Sequence, residues 1–387
     1  MNDTQKFFVR CVGAGIKGES VLAVPQNLDY KQLYKLCIEH SMSVVVFKAL
    51  EQVKANLMPN FVNALEYSAK RHVVLDVQSN HDVQTLLTAF EENGIKHMPL
   101  KGYHIKKLYP STDMRYTSDC DVLIDVAQLK RIRELVNELG LQTKRQDEHH
   151  DVVYFPQTKS IIELHKTLFV GKLDEYFGTF ERATLKEGSK YFYRLSHEDF
   201  YASILAHSAY HFAKNAGVGI RHVADVYLYK KAYGLDYDYL DKELEKCNLL
   251  QFKNRFESLA DYFFSNAEPD EFTLALAEHV ISSSVLANDG KKVASDVVAL
   301  GQSASGKRAK KRTFWRTLFP KKEQMQFSYP VLKKAVWLLP IFYVIRWVQV
   351  LFTRPDRLNK LKQINKASSE DLASMQALRS GLGITEI

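Results

Sequence analysis

Cysteine is scarce in this chain. The 387 residues hold four, Cys11, Cys37, Cys120 and Cys247, with no C-x-x-C pair among them. Such scatter argues against a structural zinc site and a disulfide framework, and for a reducing compartment. No G-x-x-x-x-G-K-[S/T] phosphate loop occurs anywhere, which sets the P-loop enzymes aside. Gly13-Ala14-Gly15-Ile16-Lys17-Gly18 has the spacing of a dinucleotide-binding turn, and Phe7 to Val12 would serve as its strand. The helix that must follow is missing, because Pro25 stands seven residues on. His207 and His211 lie one helical turn apart, but Ser208 occupies the place where an H-E-x-x-H zinc hydrolase carries its base. Polar contacts of a helix capped by Ser196 and Asp199 are expected there instead. Ala335 to Ile345 is apolar but short of the about 20 residues a bilayer span requires, and it contains Pro340. Asp3, Lys6 and Arg10 leave no readable secretory signal, and neither internal repeats nor heptads are evident.

What the chain does have is length and apolar content, 46% hydrophobic, enough for a large core divided into two or three units. Its net charge of +8 is local: Lys307 to Lys322 holds eight Lys or Arg and no Asp, and one Glu follows only at position 323. A Gly/Ser/Ala linker, Gly301 to Gly306, leads into this basic tract, where Phe314, Trp315, Leu318 and Phe319 are interleaved with the cations.

Two carboxylates stand at strand spacing in Asp119-Cys120-Asp121, followed by the apolar Val122-Leu123-Ile124. Alternation along a strand turns both acids to one face, where a cation between them offsets their repulsion. The other such pair, Asp236-Tyr237-Asp238, precedes a helix-like run and is expected to do no more than cap it. The surroundings of Asp119 read as a βαβ-like string. A helix over 81–93 ends at Asn93-Gly94, a strand over 95–100 breaks at Lys101-Gly102, and a short helix over 103–109 ends at Pro110. After the strand from Asp119 come a helix faced by Leu129, Ile132, Val136 and Leu139, then strands over 152–155 and 160–165 joined by the loop 156–159. Glu163 and His165 share one face of that last strand, so a third carboxylate arrives where it can lie beside the pair.

The run Pro99-Leu100-Lys101-Gly102, Tyr109-Pro110, Arg115, Asp119-Cys120-Asp121 and Glu163-Leu164-His165 resembles the nucleotidyltransferase superfamily of DNA polymerase beta. More narrowly, it is similar to the bacterial uncharacterised nucleotidyltransferase group, most specifically over residues 81 to 170. The resemblance implies an α+β fold, a small mixed sheet carrying the catalytic core, flanked by N- and C-terminal helical regions. It implies two Mg²⁺ ions, or Mn²⁺ in their place, held by Asp119, Asp121 and Glu163. Glu163 would help deprotonate an acceptor hydroxyl. An incoming NTP such as ATP would meet Lys101, Gly102, Arg115 and His165, and a helical stretch containing Arg221 and His222 would form a lid. One departure stands out: the superfamily carries Gly-Ser or Gly-Gly at the turn, whereas Tyr103 follows Gly102. Ser111, Thr112, Thr117 or Ser118 would then supply the missing hydroxyl.

The expected organisation is a helical region over 1–80, the nucleotidyltransferase core over 81–170, a helical lid or bundle over 171–300, and over 301–387 the basic linker, an amphipathic segment and a tail. The expected reaction moves an NMP from an NTP to an unidentified hydroxyl or phosphate acceptor and releases pyrophosphate. Two other readings stay open. One is an inactive nucleotide-binding or antitoxin-like regulator on the same fold. The other is a membrane-surface accessory protein of surface-polysaccharide biosynthesis, docked on anionic lipid through 307–352, whose Trp337, Tyr343 and Trp347 suit headgroup depth. The C-terminal segment packing as an ordinary helix is the alternative to that contact, and nucleic acid is a less favoured partner for the basic tract. The expected location is cytoplasmic, or peripheral at the inner face of the membrane.

Overall fold

The computed structural model describes residues 1–146, 149–169, 172–283, 289–300, 306–353, 362–364 and 366–384. Most of the expected Gly/Ser/Ala linker, residues 301–305, lies outside them. The chain forms two compact units: Met1–Tyr210 with Gly219–Val285, and His211–Val218 with Leu286–Ile387.

The first unit opens with helices α1 (Asp3–Ile16), α2 (Tyr30–Glu39) and α3 (Ser43–Ala49) and the long α4 (Pro59–Glu92). The glycines that mimic a dinucleotide turn lie within or just after α1, and Phe7 to Val12 is helix, in keeping with the helical region expected over 1–80. Gly15 is there for packing. A Cβ on it would meet the carbonyl oxygen of Val45 at 2.5 Å, so α1 reaches α3 only without a side chain at that point. Phe7, Phe8, Cys11 and Val12 are buried along the same helix.

Next comes the sheet: β1 (His97–Pro99), β2 (Asp119–Ile124), β3 (Gln142–Gln146), β4 (His150–Tyr154) and β5 (Ile161–His165), in the spatial order β1-β2-β5-β4-β3. Only β2 and β5 run parallel, and the other neighbours are antiparallel, so the sheet is mixed. Between β1 and β2 lie the one-turn α5 (Gly102–Ile105) and short 3₁₀ turns, and α6 (Leu129–Glu138) connects β2 to β3. The fold is thus α+β, as the sequence implied. Val122, Ile124, Ile162 and Leu164 form one face and pack with Leu86, Phe90, Ile132 and Val136 from α4 and α6. Each such side chain contributes about 1.5–3 kcal/mol on burial. Strand alternation then fixes the other face, which carries Asp119, Asp121, Glu163 and His165.

The unit is completed by α7 (Lys172–Phe177), the ribbon β6 (Thr184–Leu185) and β7 (Tyr193–Arg194), and the helices α8 (His197–Asn215), α9 (Ile220–Ala232), α10 (Tyr237–Lys246), α11 (Leu250–Phe264) and α12 (Glu271–Ser283). Residues 211–215 at the end of α8 fall in the second unit. Asp236 caps α10 by accepting the Tyr239 amide at 3.1 Å, the structural role expected of that second acidic pair.

The second unit contains α13 (Asp289–Leu300), the basic α14 (Gly306–Leu318), α15 (Lys322–Ser328), the apolar α16 (Leu339–Thr353) and α17 (Ser369–Gly381). Tyr343 donates to the Pro320 carbonyl and Trp347 Nε1 to that of Leu318, so α16 is pinned to the end of α14. Among the described residues no helix is long and apolar enough to cross a membrane.

Candidate active site

Parallel pairing of β2 with β5 sets Asp121 directly opposite Glu163, and Asp119 and His165 complete the same face one pleat away on either side. His165 Nε2 lies 2.7 Å from Asp121 Oδ1 and 3.4 Å from Glu163 Oε2. Lys101 Nζ lies 3.0 Å from Asp121 Oδ2. His165 therefore sits among the acids rather than in the core, its ring stacked on that of His150 at 5.4 Å. His150 Nε2 in turn is 3.9 Å from Glu163 Oε1.

Lys101 owes its position to an uncommon backbone. Its φ of +32° with ψ of −103° is a conformation that L-residues with side chains avoid, at a cost of order 1–3 kcal/mol. Here it turns the chain out of β1 into α5 and brings the ammonium onto Asp121. Gly102 follows. A Cβ there would meet Arg115 Nη1 at 3.3 Å and Thr117 Oγ1 at 3.4 Å, so the absence of a side chain keeps the backbone open beside a guanidinium and a hydroxyl. Of the four hydroxyls named from the sequence, Thr117 is the one placed against Gly102. Thr112 donates to Asp76 instead.

Arg115 is buried and held in a two-pronged pair with Asp225 of α9, at 2.8 and 2.7 Å. Tyr109 donates to the same carboxylate at 2.9 Å. Two of its guanidinium nitrogens are thus committed to structure, while the buried Nη1, which has no hydrogen-bond partner among the described residues, is the one facing Gly102. Arg221, also on α9, donates to the Tyr116 carbonyl at 3.4 Å and carries a buried Nε without a hydrogen-bond partner among the described residues. Its charge is felt by Asp119. His207 of α8 shares with Lys101 and His165 the lining of a small cavity of about 20 Å³, and its ring lies 6.0 Å from that of His222.

The electrostatics divide the acids. Burial alone would raise the Asp121 carboxyl, but Lys101 and His165 outweigh it and hold it well below the usual carboxylate range. Glu163 is held down by its hydrogen bond to His165 against burial and the charge of Asp121. Asp119, at the exposed end of β2, is pushed up by desolvation in the cleft and by the charges of Asp121 and Glu163. His165 is pushed up to about 9, because its bonds to Asp121 and Glu163 overcome the burial that would lower it. Arg221 is brought down to about 10 by burial and by the neighbouring Arg115.

The donor chemistry fits a hard divalent cation. One oxygen each from Asp121 and Glu163 and one nitrogen of His165 lie within 4.8 Å of one another, and Asp119 adds a carboxylate from the adjacent position on the same face. Carboxylate oxygens are the ligands that Mg²⁺ and Mn²⁺ take, and an imidazole nitrogen suits Mn²⁺ better than Mg²⁺. Sequence reasoning had not named His150, or Asp225 as the partner of Arg115. β4 reads His150-Asp151-Val152-Val153-Tyr154, with no polar alternation to single out His150, and nothing local points to Asp225.

A mixed sheet with acids paired across two parallel strands is an arrangement suited to phosphoryl or nucleotidyl transfer. Residues 26–265 match the protein-family model described as uncharacterised nucleotidyltransferase, and the chain belongs to that family. It is accordingly a nucleotidyltransferase. A comparison with curated proteins finds no match. Among solved structures, the chain is similar to the antibiotic-resistance factor ANT(2'')-Ia, with a TM-score of 0.34 and 12% identity, over 48% of this chain and 97% of that one.

Proposed function

We propose that the chain transfers an NMP from an NTP to a hydroxyl or phosphate acceptor in a reaction that depends on Mg²⁺ or Mn²⁺. The observation that carries this is the pairing of Asp121 with Glu163 across parallel strands, with Asp119 on the same face and Lys101 3.0 Å from Asp121. Asp119, Asp121 and Glu163 would hold two divalent ions, whose chemistry when bound is to neutralise the triphosphate and make its α-phosphorus electrophilic. Lys101 and Arg221 contribute positive charge for phosphate oxygens, Arg115 offers its free Nη1, and Gly102 lets the backbone come close. Glu163, kept ionised by His165, takes the proton of the acceptor O–H on Oε1. The acceptor oxygen forms a bond to the α-phosphorus, the bond from that phosphorus to the bridging oxygen breaks, and pyrophosphate leaves with the electron pair. His165, hydrogen-bonded to both carboxylates, holds Asp121 and Glu163 in place.

Pyrophosphate release from each of the four NTPs, with Mg²⁺ or Mn²⁺ and a panel of small hydroxyl acceptors, tests the proposal. Turnover of one nucleotide that vanishes in Asp119→Asn/Asp121→Asn protein supports it. Metal-dependent nucleotide binding with no pyrophosphate under any condition would favour the inactive regulator.

The second unit supports an additional, compatible role at an anionic membrane surface. Ile341, Val344, Ile345 and Val348 of α16 are exposed at helical spacing, and Trp337, just before it, is 77% exposed. The neighbouring α14 carries Lys307, Arg308, Lys310, Lys311, Arg312 and Arg316. An apolar stripe flanked by cations has the chemistry of an interfacial anchor. The intact protein would then float with vesicles containing anionic lipid and not with neutral ones. Flotation with neither would leave α16 without this role.

A further inference from the structure

Beyond the acidic face, the first unit contains a second and larger cavity, of about 300 Å³, at the lower end of the range for small-molecule sites. It lies at the β1 edge of the sheet, where His97 is bridged to Phe192. Its walls come from β1, from α5 and the turn after it, from the β6–β7 ribbon, and from α8 and α9. No residue of β2 or β5 lines it, so β1 divides it from the acids. Leu100 and Leu195 are common to its lining and to that of the small cavity beside Lys101 and His165.

Among the described residues three cations line the cavity, Lys107, Lys186 and Arg194, and no carboxylate does. Two of them rest on aromatic faces. Lys107 Nζ is 4.8 Å from the centre of the Tyr103 ring and Lys186 Nζ is 4.7 Å from that of Phe192. Cation–π contacts hold the ammonium groups in position without using their N–H donors, as a carboxylate would. The charges crowd one another: burial first, then Lys186 and Lys106, lower the Lys107 ammonium, and burial with Lys107, Lys186 and Arg194 lowers His104 to about 4. His104 is neutral and fixed by Pro99, with its Nε2 3.0 Å from the carbonyl oxygen. His197, Tyr229 and Tyr233 add aromatic rings to the lining. His197 stacks on Tyr233 with centres 3.8 Å apart and planes 24° apart, and its Nδ1 is 3.0 Å from the Tyr229 hydroxyl.

We propose that this cavity is a second ligand site, one that binds a small phosphomonoester carried on a planar ring. Two cations held on ring faces, Lys107 and Lys186, and a third, Arg194, match the charge of about −1.5 to −2 of such a phosphate at neutral pH, and Lys and Arg are its ordinary partners. The stacked His197 and Tyr233 and the rings of Tyr103 and Phe192 give the planar part π faces to lie against. With no carboxylate in the lining, binding requires no metal, which separates this site from the acidic face.

Calorimetric titration of para-nitrophenyl phosphate tests the site, using full-length Asp119→Asn/Asp121→Asn protein in EDTA. In that background the result does not depend on whether the chain transfers nucleotides. Saturable one-to-one binding is expected, weakened on the order of tenfold or more by adding Lys186→Met and Arg194→Met. Methionine keeps the aliphatic stems, and an unchanged melting temperature confirms that the variant is folded. Para-nitrophenol and inorganic phosphate, each lacking half of the ligand, should bind on the order of tenfold more weakly or not at all. Absence of binding, undiminished binding by the Met variant, or equal binding of inorganic phosphate would overturn the proposal.

Discussion

Asp121 is the residue on which the proposed chemistry turns most sharply. Asp121→Asn should lower kcat by about 10³-fold or more, because it removes a carboxylate proposed to hold the divalent ions that neutralise the triphosphate. Its melting temperature should stay within about 5 °C of wild type, because Asp119 and Glu163 remain to pair with Lys101 and His165 and one like-charge repulsion is relieved. Steady-state kinetics with thermal melting check both parts, and a collapse of the fold would make Asp121 structural instead. A pH effect arises at His40, which is buried with Nε2 3.1 Å from the Ile281 carbonyl oxygen and Nδ1 accepting the Ile220 amide. It is neutral, its value lowered by burial from 6.5 to about 4. As pH falls through 6.5 the unfolded chain takes up this proton first, so stability is full above 6.5 and declines until about 4. The loss is at most about 3 kcal/mol from this group. Urea unfolding from pH 7.5 downward should show that slope, reduced in His40→Asn. Placement of Asp119, Asp121, Glu163 and His165 on one face was legible in the sequence, because strand alternation turns spacing into direction. The position of His165 among the acids depends on Asp121, which is 44 residues away, and no local pattern reports that.

At the scale of elements, the Arg115–Asp225 pair ties the segment before β2 to α9. Both side chains are buried, so Asp225→Ala strands a guanidinium and should cost about 3–5 kcal/mol. Arg115→Met/Asp225→Leu together should cost clearly less, and denaturant unfolding of both variants checks the difference. Gly102→Ala tests the turn. Arg115, locked by Asp225, cannot easily move aside for the new methyl, so weaker nucleotide binding on the order of tenfold is expected together with a loss of stability of about 1 kcal/mol. The helix over 81–93 and the strands beginning at Asp119 and ending at His165 were read from periodicity and turn residues. β3 was not: Gln142-Thr143-Lys144-Arg145-Gln146 is polar on both faces, and only its pairing with β4 makes it a strand. Nor was the continuity of α4, since the weakly amphipathic stretch before His81 gives no sign that it joins the helix after it. Gly13 and Gly15 looked like a turn because spacing alone does not tell a phosphate-binding glycine from one that lets two helices touch.

The whole molecule is two compact units, and a division at 80/81, drawn from the sequence, falls inside α4. Composition alone revealed the basic tract and its apolar neighbour. Which of their faces stays exposed is a property of packing, and it is the exposed stripe of α16 that makes membrane docking testable. Trp337→Ser/Ile341→Ser/Val344→Ser should abolish flotation on anionic vesicles while leaving nucleotide binding unaltered, since the family match lies within 26–265. Nucleotide binding by the first unit is the central claim, and calorimetric titration of non-hydrolysable analogues of the four NTPs, with and without Mg²⁺, tests it most directly. The expected result is Mg²⁺-dependent binding of at least one analogue to wild type that is lost in Asp119→Asn/Asp121→Asn protein. Metal-independent binding that survives the double substitution, or binding of none, would contradict it.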